Sequence, residues 1–368
     1  MKSKIAYVEL DTHAEIAGNF MKLMADSSEF SIDYYFSEKV LKTLQLQDKE
    51  NVFKASPQDI LQQLQTQKYD KVIVGTVHRY FNIFEKITNR FHTAIICHNL
   101  NFVNADYLRI LSNLFKNDFS FRLKLLLKEG LLRKNNVYRQ AKQLWVLDEH
   151  LAHGKFQFLP VFFTEKSKKE TKDIFTIVVP GRVSQQRRDY KILMQKLRKW
   201  SSPHRFRIVF LGKASGEELL GIQRLKIEQK EQFWVEYFTE KIPQSKFDEW
   251  MKRADVLWCP VQEKTDFLGI KEYYGKTKMS GNIGDAITYS KMAVFPENYQ
   301  GKYPFVVPEV LLFKEKTLFE NYPVEIGHFF ETHSKEKVLC RLENTLKSFI
   351  FAEGDVEPTS YNPKNKLK

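Results

Sequence analysis

Cysteine is scarce in this 368-residue chain: Cys97, Cys259 and Cys340 are three in all, an odd number, far apart and each in apolar surroundings. Such spacing argues against a disulfide framework or a zinc site and predicts three buried free thiols. Long hydrophobic runs are missing too, since no stretch approaches the roughly eighteen apolar residues that mark a membrane span. The opening M-K-S-K-I-A-Y-V-E-L has neither the apolar run nor the cleavage site of a secretory leader, so a cytoplasmic protein is expected. No Gly-x-Gly-x-x-Gly follows the first strand, against a nicotinamide dehydrogenase. Asp-x-Asp and His-Glu-x-x-His are absent, so no metal site is expected. Gly275-Lys276-Thr277 mimics the end of a phosphate-binding loop, but the position five residues earlier is Ile270 and no strand leads directly into it.

Acidic residues are in deficit, 45 against 58 Lys and Arg, for a net charge of +13. The excess is local. Between Asn101 and Lys142 nine Lys or Arg stand against three Asp or Glu. A patch of this kind suggests nucleic acid, an anionic membrane surface or a phosphorylated substrate. Apolar Phe121, Leu125 and Leu132 interleave there with Arg122, Lys124, Lys128, Arg133 and Lys134, giving either a basic amphipathic helix on an anionic bilayer or a helix packed on a sheet with its charges solvated. Trp145, Trp200, Trp234, Trp250 and Trp258 fall in core-like runs, which argues against a nucleic-acid surface.

The 43% apolar content suffices for two domains. In the first half, strands are expected at Lys4–Leu10, Ile32–Phe36, Val52–Lys54, Lys71–Val77, Thr93–Cys97, Gln143–Leu147 and Lys155–Phe163. Thr12-His13-Ala14-Glu15 fits a capping box before the helix Ile16–Met24, Ser56-Pro57 begins a helix through Gln65, and Leu108–Gln140 reads as helical. The polar run 164–173 is the linker. Strands then recur at Ile174–Val179, Phe206–Leu211, Phe233–Phe238, Val256–Val261 and Met292–Phe295, with helices at Asp189–Trp200, Glu217–Lys226, Ser245–Arg253 and Ile283–Tyr289. A helix Lys335–Ile350 precedes a polar tail. Alternation in both halves predicts an α/β protein of two doubly wound, Rossmann-like domains facing a cleft: 1–163, then 174–330, with 331–368 as helix and tail.

Ligands bind such sheets at the carboxyl ends of their strands. In the first half those ends deliver Thr76, His78 and Arg79, then His98 and Asn99. In the second half Gly181 permits a tight turn, and Arg182 and Arg187 offer two planar donor forks suited to a diphosphate. Gly275, Gly281 and Gly284 mark a loop ahead of a helix, where Ser280 and Gly281 let backbone N–H groups face a phosphate.

These segments resemble glycosyltransferase family 4, within the GT-B glycosyltransferases, across most of Ile174 to Asn298. P-G-R-V-S-Q-Q-R is similar to the family's Gly-Arg-x-Ser-x-x-Lys, with Arg182 on its Arg and Arg187 on its Lys. F-L-G-K-A-S-G-E-E matches its second strand and turn at Gly212, and the run ending A-D-V-L-W-C-P-V matches its Ala-Asp-Val-x-x-x-Pro at Ala254, Asp255 and Pro260. The family's Glu-x7-Glu departs most: Asp285 takes the second position, toward the ribose, and Thr277 the first, toward the donor sugar. The resemblance implies donor contacts from Gly181, Arg182, Arg187, Gly212, Lys278, Ser280, Gly281, Asn282 and Asp285. His98, in I-I-C-H-N, matches a histidine near the donor sugar and joins Arg182 and Arg187 as a catalytic candidate. T-H-A-E-I resembles the family's glycine-rich loop without its glycine, so His13 and Glu15, with His78, are expected on the acceptor side.

The implied activity is transfer of a sugar from a nucleoside diphosphate sugar, with retention and without a metal or other cofactor, to a saccharide or lipid-linked saccharide of bacterial envelope polysaccharide synthesis. The partners expected are that donor, that acceptor and an anionic membrane surface on 101–142 at the inner face of the membrane, but no nucleic acid. A GT-B-shaped binding or scaffold protein without activity is the alternative, and RNA binding, on charge alone, a third.

Overall fold

The computed structural model describes residues 2–46, 50–112, 119–165, 174–200, 205–228, 231, 233–299, 301, 303–312 and 324–351. Residues 166–173 of the expected linker and the tail from 352 lie outside them. The first lobe is a seven-stranded parallel sheet: β1 (Ser3–Glu9), β2 (Phe30–Phe36), β3 (Val52–Lys54), β4 (Lys71–Val74), β5 (Thr93–Ile96), β6 (Gln143–Val146) and β7 (Phe156–Phe158), ordered β3-β2-β1-β4-β5-β6-β7. The second is a six-stranded sheet of β8 (Phe175–Pro180), β9 (Phe206–Lys213), β10 (Phe233–Phe238), β11 (Val256–Trp258), β14 (Met292–Phe295) and β15 (Val306–Pro308), ordered β10-β9-β8-β11-β14-β15. Between β11 and β14 comes an antiparallel hairpin, β12 (Lys264–Phe267) and β13 (Ile270–Tyr273). Strand order reverses beside β1 and again beside β8, and at each reversal the loops diverge to leave a crevice.

Helices cover both faces of each sheet, so the central strands are apolar throughout. Ile5 to Val8, Val72 to Val74 and Ile177 to Val179 are all essentially solvent-free. The last helix, Lys335–Phe351, packs on the first sheet, not the second. Val338, Leu342, Leu346 and Phe349, at helical spacing, join the core around Ile5, Tyr7 and Trp145. Lys335 and Lys347 pair with Asp26 and Glu29 at its ends.

Several local expectations give way to tertiary structure. The capping box does not form: His13 is the N-cap residue of the helix Ala14–Met24, in the left-handed region at φ 62° and without a side-chain cap, while Glu15 bonds the His13 ring. The helix after Pro57 begins only at Ile60, because Asp59 turns back to accept the Ser56 N–H. The basic stretch is broken into helices Tyr107–Leu111, Phe119–Leu127 and Lys134–Gln140. Of the strand expected over Lys155–Phe163, only β7 pairs. Cys97 and Cys259 are buried, but Cys340 is exposed, lying on the outer side of the last helix. Trp234 is half-exposed, stacked under the Arg205 guanidinium.

The hairpin replaces what reads in sequence as a polar connection. Its turn places Leu268 and Gly269 both at positive φ, 51° and 83°, a geometry that ordinarily selects Asn-Gly. Asp266 stabilises it by accepting the Gly269 N–H at 2.7 Å. Tertiary contact fixes the rest, since Ile270 is fully buried in the first lobe's core, with Phe267 and Leu268 packed against it. A segment of the second half of the chain thus crosses to the first lobe.

Candidate active site

Three histidines meet where β1, β4 and β5 end. The unusual backbone of His13 lays its ring flat on His98, with centroids 3.8 Å apart and planes at 11°, and His78 stands edge-on to both at 5.9 and 5.7 Å. His98 Nε2 lies 2.8 Å from the Gly75 carbonyl, which can only accept, so that nitrogen carries the proton and Nδ1 is left as acceptor. Burial, with His13 next, pushes the pKa values of His78 and His98 well below the ordinary imidazole value. Both rings are therefore neutral near pH 7.

Beneath them lies an acid that sequence reading did not single out. Glu9 ends β1, is solvent-free, and accepts the Thr76 hydroxyl at 2.7 Å and the Asp11 N–H at 3.0 Å. Burial outweighs those bonds and lifts its pKa to about 8. A charged residue within an apolar strand was its only trace in sequence. Glu15 faces the cleft, its side chain 69% exposed. Burial within the cleft would raise its pKa, but the His13 ring, 3.0 Å away, lowers it below the usual carboxylate value.

Opposite stands the second lobe's loop after β8. Gly181 sits at φ 93°, and a Cβ at Gly212 would come within 2.2 Å of the Gly181 carbonyl oxygen, so both turns need glycine to lie against each other. Arg182 and Arg187 are exposed. The guanidinium that reaches the expected acidic position is instead that of Arg188, the next residue in the arginine run. Its Nη1 donates to the Arg182 carbonyl and its Nη2 to Asn282 Oδ1, both at 3.3 Å, while Nε is buried and has no hydrogen-bond partner among the described residues. Asn282 passes the contact on, donating to Asp285 Oδ2 at 3.0 Å. Burial raises the Asp285 pKa to about 6, with the negative field of Glu15 across the cleft a smaller contribution in the same direction.

Ser280 is a buried N-cap, its hydroxyl accepting the Asn282 N–H at 3.4 Å, at the start of the nine-residue helix Gly281–Tyr289. Gly281 is exposed there, with open space where a side chain would be. Lys278, in the preceding loop, donates to Asn99 Oδ1 on the first lobe. An ammonium can only donate, which fixes the Asn99 amide, so Asn99 Nδ2 donates in turn to His78 Nε2 at 3.0 Å. His78 then carries its proton on Nδ1. Burial brings the Lys278 pKa down to about 8, Glu272 raising it and the positive charge of Arg187 lowering it further.

Thr277 is committed within its own loop. Its hydroxyl donates to Glu272 at 2.6 Å and accepts the Tyr273 N–H at 2.9 Å. Glu272 is itself committed: it is solvent-free and accepts the N–H groups of Asn101 and Phe102, at 3.2 and 2.7 Å, at the start of the helix Leu100–Asn104. The buried ammonium of Lys134 binds the carbonyls of Phe102, Val103 and Ala105 at the other end of that helix. A short helix thus has an anion at its N-terminus and a cation at its C-terminus, as its dipole favours.

Among the described residues, then, Arg182, Arg187, Arg188 and Lys278 form no ion pair, whereas Arg79, Arg133 and Lys196 are matched by Glu129, Glu85 and Glu309. His13, Glu15, His78 and His98 lie at one wall of the cleft, and Lys278 and Asp285 are brought to them from the other. No cluster of three or more His, Cys, Asp or Glu among the described residues is arranged to hold a metal ion.

No family profile matches the sequence, and no curated protein matches it. Solved structures do match along nearly their full length. Sucrose-phosphate synthase from Thermosynechococcus elongatus aligns with a TM-score of 0.60 at 10% identity, covering 95% of this chain and 100% of that one. The lipopolysaccharide outer core galactosyltransferase WaaB aligns at 0.56 and 12%, covering 94% and 99%. HepE from Anabaena in complex with UDP-glucose aligns at 0.55 and 12%, covering 94% and 99%. Likeness at this identity establishes the fold, GT-B, and leaves the reaction to be argued from the site.

Proposed function

We propose that this protein is a glycosyltransferase that moves a sugar from a nucleoside diphosphate sugar to a saccharide or lipid-linked saccharide acceptor in bacterial envelope polysaccharide synthesis. The observation that carries this reading is the set of cations that form no ion pair among the described residues, Arg182, Arg187, Arg188 and Lys278, around a glycine turn and a helix N-terminus, facing the neutral rings of His78 and His98. A diphosphate leaving group needs its growing negative charge neutralised, and guanidinium forks with backbone N–H groups supply that without a metal. Asp285 accepts the ribose hydroxyls. His98, on the opposite wall, faces the transferred sugar, and His13, Glu15 and His78 hold the acceptor. Retention at the anomeric carbon accords with the resemblance to glycosyltransferase family 4. HepE, which shares the fold, is seen with UDP-glucose, and WaaB is named for a lipopolysaccharide outer core reaction.

A membrane seat for a lipid-linked acceptor is supported by the outer surface of the basic segment. Leu108 and Leu127 are 78% and 72% exposed, Phe119, Phe121 and Leu132 are partly so, and Lys124, Lys128 and Arg133 point outward beside them. Apolar side chains entering the headgroup region with lysines at the phosphates make an interfacial anchor. Among the described residues no helix is long and apolar enough to cross a membrane.

One observation favours the competing reading, a scaffold without turnover: Thr277 and Glu272 leave the cleft without the first acidic side chain of the resembled motif. Titrating the protein with uridine, guanosine and adenosine diphosphate sugars, followed by hydrolysis and transfer assays, separates the two. An active wild type, with turnover reduced roughly a hundredfold in Arg182→Ala or Arg187→Ala, is the expected result. Nucleotide binding without turnover supports the scaffold.

A further inference from the structure

Resting on the glycosyltransferase reading, we infer that Lys278 is a specificity residue and that the transferred sugar carries a carboxylate, as a hexuronic acid does. A diphosphate esterified at both ends carries about two negative charges, matched by two guanidinium groups. The cleft holds four cations without a carboxylate partner among the described residues. Of the two beyond that match, Arg188 is turned to the Arg182 carbonyl and Asn282, and Lys278 is the one directed at the first lobe. It precedes the helix Gly281–Tyr289 and bonds Asn99 of the first lobe, so it lies toward the wall where an acceptor must meet the sugar. Only one of its three N–H donors is used in that bond.

The loop around it has also lost the groups that would suit a neutral sugar. Hydroxyl-rich sugars are held by carboxylates that accept their hydroxyl protons, and here Glu272 has turned to the backbone of Asn101 and Phe102 while Thr277 has turned to Glu272. A half-buried ammonium stands there instead, drawn by the Glu272 carboxylate and, more weakly, opposed by Arg187. Glu272 spends its hydrogen bonds on the backbone and on Thr277, so the ammonium keeps two donors for a further anion. A sugar carboxylate provides one, accepting charge-assisted bonds from the two free Lys278 donors.

The test uses the full chain and calorimetric titration with matched pairs: UDP-glucose against UDP-glucuronate, and GDP-mannose against GDP-mannuronate, with UDP and GDP alone as references. For the base that binds, the uronate is expected to bind roughly tenfold more tightly than its neutral partner, the contribution of one charge-assisted contact. Lys278→Gln, which retains a donor for Asn99, should bring that ratio close to one, and Lys278→Arg should keep most of it. Equal affinities for both sugars alongside firm binding of UDP or GDP would overturn the inference and leave the glycosyltransferase reading standing, as would a preference that survives Lys278→Gln. Failure of every nucleotide to bind would remove both together.

Discussion

Across the cleft, the first lobe presents polar groups that have settled one another, whereas the second presents charge that has not been settled. Glu9 is bonded to Thr76 and Asp11, and His98 to the Gly75 carbonyl, while burial keeps His78 and His98 neutral. On the other side, Arg182, Arg187, Arg188 and Lys278 form no ion pair among the described residues, and Arg188 Nε has no hydrogen-bond partner among them. Most of the first wall's polar atoms are thus already bonded, although the buried Tyr7 and Thr12 hydroxyls have no hydrogen-bond partner among the described residues. Of these cations only the half-buried Arg188 and Lys278 carry a desolvation cost, which an anionic ligand would offset.

The hairpin that joins the lobes gives the sharpest way to break this division. Glu272→Ala should destabilise the protein by about 2–3 kcal/mol, because it strands the Asn101 and Phe102 N–H groups and the Thr277 hydroxyl together. Denaturant unfolding measures the loss, and Glu272→Gln, which keeps an acceptor, should recover part of it. A smaller effect is expected on the donor wall. With the Asp285 pKa at about 6, nucleotide affinity should fall as pH drops through 6, by roughly tenfold between pH 7 and 5. Asp285→Asn should bind more weakly at pH 7 and show a flatter profile by calorimetric titration.

A third effect concerns stability on the first wall. The Glu9 pKa is raised from 4.5 to about 8, so between those values the native state holds more protons than the unfolded chain and stability falls as pH rises. Glu9→Gln should therefore be more stable than wild type at pH 8, with little difference at pH 4. Thermal melts at the two pH values check the sign. A mutant that instead loses stability at pH 8 would mean that Glu9 is held ionised and that the first wall is charged after all.

Strands buried on both faces were legible because a parallel sheet leaves them few polar positions: β10 and β14 match their expected spans, Phe233 to Phe238 and Met292 to Phe295, and β8 is displaced by one residue. The basic glycine turn was legible as well, and with it the neighbourhood of Arg182 and Arg187. Choosing which arginine reaches the Asn282–Asp285 pair was not, since Arg187 and Arg188 are adjacent and only the pairing of Arg188 with Val261 settles which of them turns inward. The basic segment misled through its composition. Lys134 is solvent-free and Arg122 nearly so, because carbonyls at the end of a helix and packing against the hairpin accommodate charge that a helical pattern assigns to water.

By itself the sequence determined two sheets, their strand ends and a cationic loop on the second, all of which follow from local periodicity and from where glycine and arginine fall. The crossing of the hairpin and the last helix to the first lobe, the capture of Glu272 and Thr277, and the line from Lys278 through Asn99 to His78 were decided only in three dimensions. Each depends on groups from about twenty to more than three hundred residues apart competing for the same packing and hydrogen-bond partners. Such a competition is settled by proximity in space and leaves no periodic signal in the chain.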